Sequence, residues 1–459
     1  MSSGAPDPGP WRKRVAAVFP GLRADLEALV RIPSVSNAAF DQGHVRASAD
    51  AVAALLTDAG MPEVQVLSVT TADGSEGAPA VVARRPAAPG ARTVLLYAHH
   101  DVQPPGDDAA WDTEPFVPTE RDGRLYGRGA ADDKAGVVAH VGALRVLGDH
   151  LAGSGLGVTV FVEGEEEVGS PTFAAFLAEH RELLQADVIV VADSANWRVG
   201  VPALTTSLRG LVDLEVEVEV LDHAVHSGMF GGPVLDALTL LSRLVATLHD
   251  DAGDVAVRGL VSAPDPGVDY QEADLRADAA VLDGVRLAGT GPLTARLWTR
   301  PAIAVIGIDA PSVARASNTI TPRATAKISL RIAPGQDPAE ALAALRTHLV
   351  EHAPFGARVT VRDGELGKPF QAPADSDAMR AARAAFAEAW GTPPVDTGIG
   401  GSIPFIADLL GEFPEASILV TGVEDPDSRA HGANESVHLA ELERVVLAEA
   451  LLLDALGRR

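Results

Sequence analysis

Five stretches of the chain carry side chains that bind metals through nitrogen and oxygen: His99-His100-Asp101, Asp132-Asp133, Glu163-Gly164-Glu165-Glu166-Glu167, Asp193 and His431. Each alone has an ordinary reading as an acidic turn or a structural histidine, and Asp133 reads as the N-cap of the helix that follows. Together they offer His, Asp, Glu, Asp and His donors without sulfur, which suits zinc and also manganese or cobalt. Five ligands exceed one tetrahedral ion. They suit two ions roughly 3.5–4 Å apart that share a bridging carboxylate, and Asp132 is better placed as a ligand than Asp133. The loop Gly127-Arg128-Gly129 has the spacing of neither phosphate-binding fingerprint, and adjacent aspartates repel phosphate. No His-Glu-x-x-His helix and no Gly-x-Ser-x-Gly elbow occurs, which sets aside the thermolysin-type zinc site and the serine hydrolases.

The composition limits the partners. Thirty-seven basic and 63 acidic residues leave a net charge of −26. Such a chain is a poor ligand for nucleic acid, which needs basic patches, and for an anionic membrane surface. The absence of cysteine excludes disulfides, thiolate nucleophiles, iron–sulfur clusters and cysteine-based zinc sites. No apolar run approaches the roughly 18 residues of a membrane-spanning helix. Residues 1–10, MSSGAPDPGP, lack an apolar signal segment and read as a short flexible tail, so a cytoplasmic protein is expected.

The candidate ligands fall where strands should end. Thr93–Ala98 (TVLLYA), Gly157–Glu163 (GVTVFVE) and Asp187–Ala192 (DVIVVA) read as buried strands and run into His99, the Glu163–Glu167 cluster and Asp193. His431 follows a fourth strand, Ser417–Thr421, and a polar loop. Sites in open α/β sheets form outside the carboxyl ends of strands. Helical periodicity over 11–30, 45–59, 134–149 and 171–184 alternates with these strands, which argues for a mostly parallel, mixed sheet flanked by helices. From about residue 205 the pattern changes. Leu211–Val220 (LVDLEVEVEV) alternates apolar and acidic residues, the mark of a strand with one wet face. With strands at Ile303–Ile308, Ala324–Ile332 and Ala357–Arg362 and helices at 234–249 and 338–352, this block reads as an α+β unit with an antiparallel sheet. The first style returns at 375–390 and 438–456. The expected organisation is a discontinuous α/β domain, 11–204 and 371–459, interrupted by an inserted α+β domain, 205–370.

The motifs occur in a telling order: YAHHDVQP (97–104), GRGAADDKAG (127–136), EGEEEVGS (163–170), VADS (191–194), HSGMFGG (226–232), ISLRIAP (328–334), GIGGSIPF (398–405) and RAHGANE (429–435). Each is short, but their ordered combination is specific. The sequence resembles the di-zinc aminopeptidase/carboxypeptidase/deacylase family, above all its carnosinase-like cytosolic dipeptidases. The resemblance implies that His99 and Asp193 hold one zinc, Glu167 and His431 the other, and Asp132 both, with a cis peptide between Asp132 and Asp133. It implies Asp101 orienting His99, Glu166 as general base and His226 of a partner subunit as oxyanion donor. Residues 165, 166 and 167 are all Glu, and alignment to the following Val-Gly-Ser selects 166 and 167. Arg331 would clamp the substrate carboxylate, with Asn318, Thr319, Gly400, Gly401 and Ser402 nearby. His100 is expected to bind no metal, and Lys134 to pair nearby acids.

The leading functional expectation is dipeptide hydrolysis by a homodimer, supported by Asp at 193, where carboxypeptidase and deacylase relatives tend to carry Glu. The second is hydrolysis of N-acyl amino acids at the same site. The third is a binding protein without activity, which the complete ligand set and Glu166 argue against. The inserted domain is expected to act as lid and dimerisation surface.

Overall fold

The computed structural model describes residues 9–401 and 404–458. The chain forms two compact units. One runs to Thr206 and takes in Ala372–Thr397 and the chain from Asp408; the other comprises Ser207–Gln371 and Gly398–Ala407.

The first unit is built on a mixed sheet whose centre is parallel. Strand Thr93–His99 lies between Gly157–Glu163 and Val188–Val191, and Ser417–Val420 extends the parallel set beyond the latter. These strands are apolar on both faces and almost wholly buried, as strands covered by helices on both sides must be. Register aligns their ends: His99 sits opposite Glu163, and Tyr97 opposite Val191. Antiparallel strands finish the sheet. Ala80–Arg85 pairs with Gly157–Glu163 and with Glu63–Leu67, while Ala203–Leu208 meets Ser417–Val420 at Thr205. The sheet is thus less parallel than the sequence pattern implies. Its outer strands carry the alternation and charge that blur a strand signal.

Helices Gly9–Val30, Lys134–Leu147, Asp377–Trp390 and Leu439–Gly457 pack together on this unit. Lys134–Leu147 is buried at all but one position and lies against strand Thr93–His99. Its N-cap is Asp133, whose Oδ1 accepts from the Gly136 amide at 3.2 Å. The expected helix 171–184 is broken into Phe173–Glu179 and Arg181–Leu184 at His180. A small antiparallel sheet of Thr119–Arg121, Arg124–Tyr126 and Ser436–His438 ties the 127–133 loop to the loop bearing His431.

The second unit carries a four-stranded antiparallel sheet in the order Ala302–Asp309, Arg323–Ile332, Gly210–Glu219, Arg358–Gly367. Its apolar face, with Val212, Leu214, Val216, Ile328 and Leu330, packs under helices Ala237–Ala246 and Pro338–Glu351. The acidic positions of Gly210–Glu219 pair across the strands: Glu219 with Arg323 and Arg358 at 2.7 Å each, and Asp213 with Lys327 at 3.7 Å. Opposite charges on neighbouring strands stabilise a wet face by a few tenths of a kcal/mol per pair, up to about 1. The polar stretch 259–301 holds two short helices, Glu272–Asp278 and Leu293–Trp298. Residues 398–401 and 404–407, grouped by sequence with the discontinuous domain, fall in this unit.

Candidate metal centre

The first unit gathers its ligand candidates at the carboxyl ends of the parallel strands. His99 ends the central strand, and its Nε2 lies 3.1 Å from Asp132 Oδ1 and 4.0 Å from Asp193 Oδ1. On the other side of Asp132, His431 Nε2 lies 3.0 Å from Oδ2 and 3.2 Å from Glu167 Oε2. Asp132 therefore offers one oxygen to each histidine. Among the described residues two ligand groups emerge, His99–Asp132–Glu167 and His99–Glu166–Asp193. The Asp132–Asp133 peptide is cis.

Buried hydrogen bonds hold these side chains in place. The Asp101 carboxylate lies 3.4 Å from His99 Nδ1 and accepts the Glu166 and Glu167 amides at 3.2 and 3.0 Å. The Asp101 carbonyl oxygen stands nearer still to Nδ1, at 3.1 Å. One residue thus orients the histidine and the acidic turn together. Glu165 points elsewhere: its carboxylate accepts from Ala78 N, Thr172 N and Thr172 Oγ1. His100 is buried with Nε2 on the Pro79 carbonyl at 2.8 Å, and burial lowers its pKa to about 4. Lys134 does not pair with acids as expected. Its Nζ donates to the carbonyls of Leu29 and Ile32 at 2.9 and 2.7 Å, at the end of helix Gly9–Val30, where carbonyls have no partner further along the helix.

Two contributors had no assigned role in the sequence reading. Gln103 donates its amide to Glu167 Oε1 at 3.1 Å and its side chain to Oε2 at 2.8 Å. Glu435, wholly buried, accepts the amides of Gly129, Ala131 and Asp132 at 2.9–3.1 Å and pairs with Arg128 at 2.6 Å. It lies four residues beyond His431, so one carboxylate joins the loops that carry two of the ligands. Both stood inside quoted motifs, but only their partners reveal what they do. The His431 loop is further pinned by a buried pair, Arg124 to Asp425 at 3.0 Å. Within that loop Arg429, His431 and Asn434 adopt positive φ of 56°, 63° and 63°, a conformation that side chains with a Cβ rarely take unless surroundings enforce it.

The ionisable groups of the cluster shift one another's protonation. Hydrogen bonds to Asp132 and Glu167 raise His431 to about 10. His99 is raised well above its ordinary value although burial opposes it, through Asp101 and Asp132. Burial, reinforced by Asp193 and Glu167, pushes Glu166 up to about 9, and burial likewise brings Asp193 to about 6. Asp132 is held below the usual carboxylate range by His431 and His99 against the cost of burial. Imidazole and carboxylate donors converging on shared oxygens, with protons standing in for positive charge, fit a pair of divalent cations.

The remaining candidates belong to the second unit. His226 is exposed, and its Nδ1 accepts the Gly228 amide at 3.0 Å. A two-residue ribbon sets it opposite Thr319, and the Asn318 carbonyl accepts the Ser227 amide at 2.9 Å. Arg331 lies in strand Arg323–Ile332 opposite Leu211. Gly400 is closely packed, since a Cβ there would lie 2.8 Å from Arg209 Nη2 and 2.9 Å from the Leu297 carbonyl; Gly401 is open, with nothing nearer than 3.9 Å. Ser402 lies outside the described residues.

Strand-end imidazoles and carboxylates of this kind define a metal-dependent hydrolase. Residues 95–455 match peptidase family M20/M25/M40, and the chain belongs to that family. It is 39% identical over 373 residues to a cysteinylglycine-S-conjugate dipeptidase of Corynebacterium striatum, covering 80% of this chain and 82% of that protein. It is 28% identical over 378 residues to the beta-Ala-His dipeptidase of Homo sapiens, covering 78% of this chain and 74% of that one. The crystal structure of human carnosine dipeptidase 1 shares the fold, with a TM-score of 0.75 at 24% identity over 99% of this chain and 100% of that one.

Proposed function

We propose that the protein hydrolyses the peptide bond of dipeptides with two divalent cations, zinc first and manganese or cobalt as substitutes. His99 and Asp193 would hold one, Glu167 and His431 the other, and Asp132 both. The observation that carries this reading is Asp132, with one oxygen at 3.1 Å from His99 and the other at 3.0 Å from His431. Such a cation pair, when bound, lowers the pKa of water and polarises a carbonyl.

The chain's own residues do the rest. Glu166 takes the proton of the attacking water and returns it to the leaving amine nitrogen. Its neighbours His99 and Asp193 favour it over Glu165, whose oxygens are already engaged. Asp101 fixes the turn that presents Glu166. His226 of a partner subunit donates to the developing oxyanion through its exposed ring. Arg331, with Asn318, Thr319, Gly401 and Ser402, receives the C-terminal carboxylate. A homodimer is favoured by the sheet edge Ala302–Asp309, where Val305, Ile306 and Ile308 are exposed on an edge strand, an arrangement that invites pairing with another chain. The second unit would then serve as lid and dimerisation surface.

The test is turnover of dipeptides, tripeptides and N-acyl amino acids by metal-loaded protein. Cleavage of dipeptides is the expected result. Release of acyl groups without dipeptide turnover would replace this reading with that of a deacylase.

A further inference from the structure

We propose that His140 is a positioning residue for the metal centre: backed by Glu449, it anchors the Tyr97 carbonyl, the point at which the segments bearing His99, Asp132 and Asp193 meet. This rests on the reading of those three residues as ligands.

His140 lies in the second turn of helix Lys134–Leu147, which Asp132 precedes, and is wholly buried. Its Nδ1 lies 2.9 Å from each carboxylate oxygen of Glu449, and its Nε2 3.0 Å from the Tyr97 carbonyl oxygen. Both ring nitrogens thus face acceptors, and each carries a hydrogen: the ring is an imidazolium. Burial opposes that charge, but the Glu449 carboxylate prevails and holds the His140 pKa above its ordinary value. Glu449 is itself buried, on the C-terminal helix Leu439–Gly457. Neither residue is a candidate ligand.

The place of the acceptor gives the pair its meaning. Tyr97 lies two residues before His99 in the central strand. Its carbonyl also accepts the Ala192 amide at 3.0 Å, and Ala192 immediately precedes Asp193. That carbonyl has a partner without His140, so the second donor is not needed to satisfy a buried acceptor. Nor does an ion pair in the core add stability that apolar side chains of similar volume would not match. What the pair supplies is a fixed connection. One oxygen joins the strand of His99, the strand end before Asp193 and the helix that follows Asp132, and Glu449 ties the junction to a second helix. Metal ligands gain affinity when their supports hold them in the binding geometry.

The experiment measures zinc affinity, by competition with a chromophoric chelator, and the melting temperature of the metal-free protein, all in the full-length chain. The double variant His140→Leu/Glu449→Leu replaces the pair with apolar side chains. It should melt where the wild type does and bind zinc about tenfold more weakly, the lower end of the effect of supports behind metal ligands. Glu449→Gln should bind zinc as the wild type does, since a glutamine amide donates to Nδ1 and leaves the Nε2 hydrogen on Tyr97. Wild-type affinity in the double variant overturns the inference. So does a loss of affinity that only follows a lowered melting temperature, and so does equal weakening in Glu449→Gln, which would trace the effect to the charge alone. If the double variant fails to fold, nitrogen NMR of the wild-type ring is the test: hydrogen on both nitrogens at neutral pH is expected, and a bare Nε2 overturns the inference. Asp132→Ala, run alongside, separates the two readings. Loss of zinc there, with wild-type affinity in the double variant, removes His140 and leaves the ligands standing. Zinc binding untouched by Asp132→Ala removes both.

Discussion

The candidate site residues of the two units lie in opposite surroundings. In the first, His99, Asp101, Asp132 and Glu435 are buried, and each carboxylate or ring is held by named donors and acceptors. In the second, His226, Asn318 and Thr319 are exposed and rest on a two-residue ribbon. Burying ionisable groups is costly unless every charge is matched, by a proton, a partner or a cation. A cluster so constrained has each side chain tied to named partners. Exposed residues on a short ribbon carry no such cost and need none of that support. The first arrangement suits chemistry at a fixed centre, and the second leaves His226 available for the role proposed above.

The sharpest way to break this contrast is at the shared oxygen pair. Asp132→Ala should lower the bound metal, read by elemental analysis, and reduce turnover to background. An active variant with two metals would show that Asp132 is not the hub. Glu166→Gln should keep its metal and its fold and lose roughly 10²–10⁴ in kcat, the range of general acid–base catalysis. His226→Ala should lose about 10²–10³ in kcat while stability moves by less than about 0.5 kcal/mol, as for exposed positions. A large fall in melting temperature would place that histidine in the structural class with His99. Gln103→Ala should weaken metal affinity by about 10–100-fold, with turnover restored by excess metal in a titration.

The smallest expected effect is in pH. In the metal-free protein His431 stands at about 10 and Glu166 at about 9, both above their ordinary values. Both groups therefore hold protons across neutral pH, and a cation must displace the one on His431. Metal binding should release protons, and apparent affinity should rise with pH until about 10, where His431 loses its proton. Calorimetry in buffers of different ionisation enthalpy reads the release directly; binding without proton uptake by the buffer would contradict it.

Much of the first unit was legible because its signals are local. Apolar runs of six or seven residues ending in His, Glu or Asp mark central strands and their ends without reference to the rest of the chain. The outer strands Glu63–Leu67 and Ala80–Arg85 escaped, since half-exposed sequence with flanking charge resembles a loop. Lys134 was misjudged for a related reason. A lysine beside aspartates suggests ion pairs, yet its ammonium reaches the carbonyls at the end of a helix more than 100 residues earlier in the chain. The three consecutive glutamates were indistinguishable by type. Only the donors at Ala78 and Thr172 turn Glu165 aside.

By itself the sequence determined which atoms are available: nitrogen and carboxylate donors, no sulfur, a strongly anionic chain, and strands whose ends carry those donors. These are properties of side-chain chemistry and of periodicity within a few residues. The tertiary structure alone decided how they meet. His99, Asp132, Glu167, Asp193 and His431 are spread over more than 300 residues, and parallel register and two buried loop latches bring them to one place. The positions of Gln103 and Glu435 beside the ligands belong to the structure too. A buried polar group does what its neighbours require of it, and those neighbours come from distant parts of the chain.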